Sequence, residues 1–202
     1  VTIKDLIETG VEYNWILMLK IQNETVRYYT RIIDSEGYNT YEKLLFVREF
    51  HDKTFDKERA KDLVTYLEPN SKGDNTTLSH VDIHSSLKQI TWADLNVSQI
   101  SKPQIVISEI ESQTASIRMH YRVQTKEGKK TDQYNVVEFF RIRHTPDRTY
   151  LLDYERSMNQ IFDPAADVYG GSKIMLGIRD SNVQMMESDG GSNLAFVNEN
   201  QL

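Results

Sequence analysis

The firmest pattern of apolar and polar positions lies in the middle third of the chain. In residues 116–124 (SIRMHYRVQ), Ile117, Met119, Tyr121 and Val123 fall on one side, and Arg118, His120, Arg122 and Gln124 on the other. Period-two alternation of this kind predicts a half-buried strand. A turn-rich link, TKEGKKT, follows with Gly128 at its centre. Residues 133–143 (QYNVVEFFRIR) and 149–154 (TYLLDY) are rich in β-branched and aromatic residues, which suit a pleated, half-buried surface. With IVISEI (105–110) in front, residues 104–154 predict three or four antiparallel strands joined by tight turns.

The first third is helical in character. Ile3, Leu6 and Ile7 have helical spacing, closed by Gly10. Residues 11–33 satisfy two templates. Val11, Met18, Ile21, Tyr28 and Ile32 form a heptad-like stripe, which predicts a long helix. Trp15, Leu17, Leu19 and Ile21 also alternate, as do Val26, Tyr28 and Thr30, and QNET (22–25) would then be a hairpin turn. The helix is the favoured expectation, although the β-branched and aromatic content of 26–33 pulls against it. Asn39 and Glu42 have capping-box spacing, so a helix should start near Thr40, with Leu44, Leu45, Val47 and Phe50 on its apolar side. Asp56 is a second N-cap candidate, followed by Ala60, Leu63, Val64 and Leu67 at i, i+3, i+4 and i+7. Pro69 and Gly73 end that segment, and residues 81–90 predict a short helix leading to an extended Trp92.

Helices first and a meander afterwards define an α+β class: N-terminal helices packed on a C-terminal antiparallel β-meander. That element order resembles the NTF2-like and cystatin-like folds, and the VirB8-like components of secretion assemblies, over roughly residues 11–160. The resemblance rests on element order and transfers no functional residue. Near residue 163 the texture changes to turn signals (DPAAD, Gly170-Gly171) and short strand candidates (KIMLGI, VQMM, LAFV). The expected division is an α+β domain over 1–162 and a short β-rich tail over 163–202, the start of a further β domain. YLLDYERSMNQIF (150–162), KIMLGIR (173–179) and NLAFVNENQL (193–202) resemble extracytoplasmic proteins of Gram-positive bacteria in which a membrane-anchored module runs into a β-propeller-like segment. The resemblance implies a location outside the membrane. A chain that begins at Val1 and stops at Leu202 is expected to be a piece of a longer protein, so an anchor would lie elsewhere.

Composition narrows the classes. A net charge of -6 disfavours nucleic acid as the main partner, because backbone phosphates select a basic footprint. The absence of cysteine removes disulfides, thiolate metal sites and a cysteine nucleophile. The most apolar run, WILML (15–19), is far short of the roughly 20 residues a membrane span needs. No Gly-rich phosphate loop, nucleophile elbow or calcium loop is present, and no cofactor is implied.

Four constellations remain. Arg118, His120 and Arg122 share a strand face, and Arg141 and Arg143 share one on the next strand. Aligned, they would form a cationic surface for a carboxylate, a phosphate or an acidic segment. The competing expectation is cross-strand pairing with Glu109, Glu111, Glu138, Asp153 and Glu155 on a solvated face. On a strand His80, Asp82 and His84 would share a face, on a helix only the two histidines would, and either arrangement could hold a divalent metal with a third ligand from elsewhere, against the plainer reading of a solvated helix start. His51-Asp52 is expected in the exposed break between two helices, because adjacent helical residues do not orient one another. Tyr13, Trp15, Tyr28, Tyr29, Tyr38 and Tyr41 could wall a pocket, or serve as core and rim. The leading expectation is a non-enzymatic interaction or scaffold module whose partner is a protein or a cell-envelope component. The alternatives are an NTF2-like ligand-binding or enzyme domain using His120 and Tyr121, and a packing unit of a secretion or conjugation assembly.

Overall fold

A computed structural model describes residues 6–127, 130–161, 169–170, 173–174 and 185–196. The chain opens with β1 (Glu12–Ile21) and β2 (Glu24–Ile33), antiparallel from Glu12↔Ile33 to Ile21↔Glu24. This corrects the expected helix over 11–33: the alternation was the true period. Gln22 takes φ 54, the left-handed conformation that tight hairpin turns require. Thr9 bridges Asp34 at the base of the hairpin, and the expected helical turn is not formed by residues 6–10. Ile3 lies outside the described residues.

Helix α1 (Thr40–Thr54) starts where expected, but without the capping box. Asn39 sits at φ 47 and its amide donates instead to Gly37 O at 3.3 Å. Lys43, Val47, Phe50, His51 and Thr54 make the buried side of α1. The following segment, Arg59–Tyr66, is a 3-10 helix rather than an α-helix. Its N-cap is Glu58, without a side-chain cap bond; Asp56, the expected cap, stands two residues earlier, its Oδ1 accepting from the backbone N–H groups of Glu58 and Arg59 at 3.0 and 3.1 Å. With three residues per turn, Ala60 and Leu63 eclipse each other and are buried, while Val64 rotates outward to 52 % exposure.

Residues 81–90, expected as one helix, divide into β3 (His80–Asp82) and a single turn, α2 (Leu87–Ile90). Trp92 is not extended; it is buried at φ 65. Then come β4 (Val97–Gln99), β5 (Gln104–Ile110), β6 (Thr114–Glu127), β7 (Lys130–His144) and β8 (Thr149–Gln160). The meander is therefore present. Its sheet runs β3-β8-β7-β6-β4, all antiparallel, and β5 shares the outer edge of β6 with β4. Ile117, Met119 and Val123 are 1 % exposed or less, facing α1. Phe50 of α1 meets Phe140 and Tyr154 at ring-centroid distances of 5.6 and 5.0 Å. The class is α+β, with one described α-helix longer than a turn.

In the tail, β9 (Tyr169–Gly170) pairs with β10 (Lys173–Ile174), and β11 (Met185–Glu187) with β12 (Leu194–Phe196). The SDGGSN turn joins β11 to β12, and Ser188 N–H donates to Asn193 O at 3.0 Å. The expected boundary near 163, and most of KIMLGI, lie outside the described residues.

Candidate functional site

The sheet has an inner face under α1 and an outer face that no helix of the described residues covers, and each carries a cluster of polar groups. On the outer face, strand alternation sends Arg118, His120 and Arg122 outward, all three exposed. Register sets their neighbours. Arg122 lies opposite Asn135, which lies opposite Asn159; His120 opposes Val137 on one side and Gln104 on the other. Arg118 opposes Phe139, which opposes Glu155. A cavity of about 750 Å³ opens here, lined among others by Lys102, Arg118, His120, Arg122, Asn135 and Asn159. None of its lining residues is a carboxylate. Lys102, Arg118 and Arg122 make no ion pair among the described residues. The Arg118 guanidinium lies over the Phe139 ring at 5.5 Å, a cation–π contact. A second, smaller cavity of about 330 Å³ adjoins it, between Arg118 and Glu155.

Of the five predicted cationic residues, three therefore line the groove. Arg141 and Arg143 share the face, opposite Ser116 and Thr114, but are engaged elsewhere. Arg141 Nη1 donates to Ser116 Oγ at 2.7 Å and also to Glu109 Oε2. That hydrogen bond from Arg141, with help from Ser116, holds the Glu109 carboxyl below its ordinary pKa. Arg143 lies over the Tyr150 ring at 4.9 Å. Arg141 is thus paired with Glu109, and Arg118, His120 and Arg122 lie exposed on the outer face.

The predicted metal ligands do not converge. His80 and Asp82 do share a strand face, opposite Ser157 and Glu155. Asp82 Oδ1, however, accepts from His84 N–H at 2.9 Å and from Ser85 Oγ at 3.1 Å, closing a local turn. His84 Nδ1 is 2.9 Å from the Asn70 amide. Among the described residues no three His, Cys, Asp or Glu side chains form a group able to hold a metal. The N-terminal aromatics line neither of these two cavities. Trp15, Tyr28, Tyr29 and Tyr41 are exposed large apolar residues, the first three of them on the hairpin.

The inner face holds the cluster that the sequence did not disclose. His51, expected in an exposed break, is 1 % exposed within α1. Its Nδ1 meets Glu138 Oε2 at 2.7 Å and its Nε2 meets Gln99 Oε1 at 2.9 Å. The Gln99 amide is oriented by donating Nε2–H to Ser101 O at 2.8 Å, so an oxygen faces the imidazole. Both ring nitrogens thus face acceptors, which is the arrangement of an imidazolium. Burial disfavours that charge, but the hydrogen bond and charge of Glu138 and the Gln99 contact outweigh it and raise the His51 pKa. Burial would likewise raise Glu138; hydrogen bonding and charge from His51, the Arg156 charge and the Tyr154 hydroxyl overcome it and lower the carboxyl. Tyr154 donates to Glu138 Oε1 at 2.8 Å. Tyr121 packs edge-on to His51 at 4.6 Å. Burial first, and the Glu138 charge next, push both tyrosine hydroxyls well above their ordinary pKa. Arg156, fully buried, donates to Ile90 O and Gln89 O at 2.7 and 2.8 Å and lies 3.7 Å over the Trp92 ring.

His51, Glu138 and Tyr154 bond to one another and Arg156 bonds to backbone carbonyls, whereas the Tyr121 hydroxyl and Arg156 Nε are buried without a hydrogen-bond partner among the described residues; the cluster is packed among Phe50, Phe55 and Trp92. The pair His120 and Tyr121, which an enzyme reading would employ together, is split: His120 faces out and Tyr121 is buried at 4 %. No protein-family model matches the chain, and no curated protein or solved structure matches it.

Proposed function

We propose that the chain is a binding module that meets an anionic partner on the outer face of its sheet, while its inner face serves stability. The observation that carries this reading is the groove of about 750 Å³ whose charged lining is Lys102, Arg118 and Arg122, with His120 among them and without a carboxylate. Exposed guanidinium groups without an ion pair among the described residues are available for bidentate contacts to carboxylate or phosphate. The inner ionisable groups support the same reading from the other side, since His51, Glu138 and Tyr154 are buried and bond to one another, and Arg156 is buried against backbone carbonyls. The element order, one helix across a long antiparallel sheet, is what an NTF2-like module would have. We further propose that the module works outside the membrane of a bacterial cell as part of a larger anchored protein, supported by the resemblance of YLLDYERSMNQIF, KIMLGIR and NLAFVNENQL.

The test is calorimetric titration with tripolyphosphate and with poly-glutamate, over a range of salt. Binding should weaken as salt rises. Replacing Arg118 and Arg122 with glutamine should weaken it at least about tenfold, because each charge-assisted hydrogen bond contributes roughly 1.5–3 kcal/mol. Absence of binding by the unsubstituted protein would rule the reading out. Immunodetection of the parent protein in cell fractions tests the location.

A further inference from the structure

We infer that the groove takes an extended acidic peptide, lying along β6, with carboxylates at every second residue. This rests on the anion-binding reading and adds the form of the ligand. The first argument is spacing. Arg118, His120 and Arg122 are alternate residues of one strand, so their Cα atoms repeat at about 7 Å. Alternate residues of an extended peptide repeat at the same interval, so acidic side chains can face Arg118 and Arg122, with the imidazole of His120 as a hydrogen-bonding group between them.

The second argument is the neutral lining. Gln104, Asn135 and Asn159 surround the cations, with Asn135 directly opposite Asn159. Each amide offers both donors and an acceptor. A peptide backbone presents N–H and C=O groups that need both. A phosphodiester backbone only accepts, and would leave the amide oxygens without donors.

The third is the charge across the sheet. Moving from β6 toward the β3 edge, the row Arg118, Phe139, Glu155, Asp82 passes from cationic to acidic. An acidic chain laid across the strands would run onto Glu155 and Asp82, whereas one laid along β6 stays on the cations. Bases of a single-stranded nucleic acid need an aromatic face to stack on. Phe139 is covered by Arg118, and Tyr121 has its ring against His51 on the inner side.

Fluorescence anisotropy with the full chain tests this. The probes are a capped peptide with glutamate and threonine alternating, one of the same composition with its glutamates in one block, and an oligothymidylate of matched charge. The alternating peptide should bind at least about tenfold more tightly than either, and Arg122→Gln should remove about tenfold of that affinity. Equal affinity for the two peptides, or tighter binding of oligothymidylate, would overturn the peptide inference and, if Arg122→Gln still weakens binding, leave the anion reading standing. If nothing binds, or Arg122→Gln changes nothing, the anion reading falls as well.

Discussion

Nδ1 of His51 lies 2.7 Å from Oε2 of Glu138, and the two side chains are 2 % and 0 % exposed. One belongs to α1 and the other to β7, so the contact fastens the helix to the middle of the sheet. Arg156, paired in register with Glu138 on β8, adds a second buried cation near the same carboxylate. Desolvating such charges is costly, and removing one member leaves the rest uncompensated. Glu138→Ala should therefore cost about 3–5 kcal/mol of stability, read from urea denaturation. Combining His51→Leu with Glu138→Leu should cost clearly less than the two single changes added together. Strict additivity would mean that the two side chains do not interact.

The same pair predicts how stability varies with pH. His51 has its pKa raised on folding, so its contribution is complete below its ordinary 6.5 and is lost as pH rises through the folded value. Glu138 has its pKa lowered, so its contribution is complete above its ordinary 4.5 and is lost as pH falls through the folded value. The two windows overlap between those ordinary values, and the pair contributes most there. Thermal melts across pH should show the alkaline decline flattened in His51→Gln. An unchanged alkaline limb in that variant would contradict the imidazolium assignment.

Lys43 makes a parallel prediction at the other end of α1. Its Nζ donates to the carbonyls of Glu111, Ser112 and Thr114 at 2.6, 3.1 and 3.3 Å, around the turn between β5 and β6. Burial lowers its pKa, partly offset by Glu111. Lys43→Met keeps the stem and removes the donors. It should cost about 1.5–3 kcal/mol, the usual range for hydrogen bonds to a charged group. Amide hydrogen exchange should accelerate at residues 111–114 more than in β7. A uniform acceleration would instead indicate general loosening of the sheet.

What the sequence disclosed follows from where the physical constraint acts. The alternation of β6 was legible because one of its faces is buried, so period two is imposed on every residue from Ile117 to Val123. Arg118, His120 and Arg122 of the groove came with it. Their neighbours Asn135 and Asn159 did not, because only the register of β6 against β7 and β8 brings them there, and neither did Lys102, which the link between β4 and β5 places at the groove. The hairpin was misjudged because Ile21 and Tyr28 belong both to the heptad stripe and to the alternation. Tyr13 and Val26 apart, 12–30 is exposed throughout, so no core enforces a single period. His51 was hidden for a different reason: its partner is 87 residues away, and the local sequence shows only an isolated polar residue on an apolar helix face.

The hairpin itself supports a last prediction. Register puts Tyr13, Trp15, Leu17, Leu19 and Ile21 on one side with Val26, Tyr28 and Ile32. Trp15, Leu17, Leu19 and Ile21 are 37, 47, 41 and 57 % exposed. A two-stranded ribbon with an open apolar face invites association, and unpaired strand edges add to the tendency. Leu17→Lys combined with Leu19→Lys should lower light scattering at high protein concentration. Because neither residue packs into the core, each change should alter stability by no more than about 0.5 kcal/mol, the usual range for surface positions. Arg31 Nη2 donates to Ser108 O at 3.2 Å, a contact from β2 to β5 that neither lysine touches. Unaltered scattering would assign association to another surface, and a large loss of stability would mean that the apolar side packs on the domain.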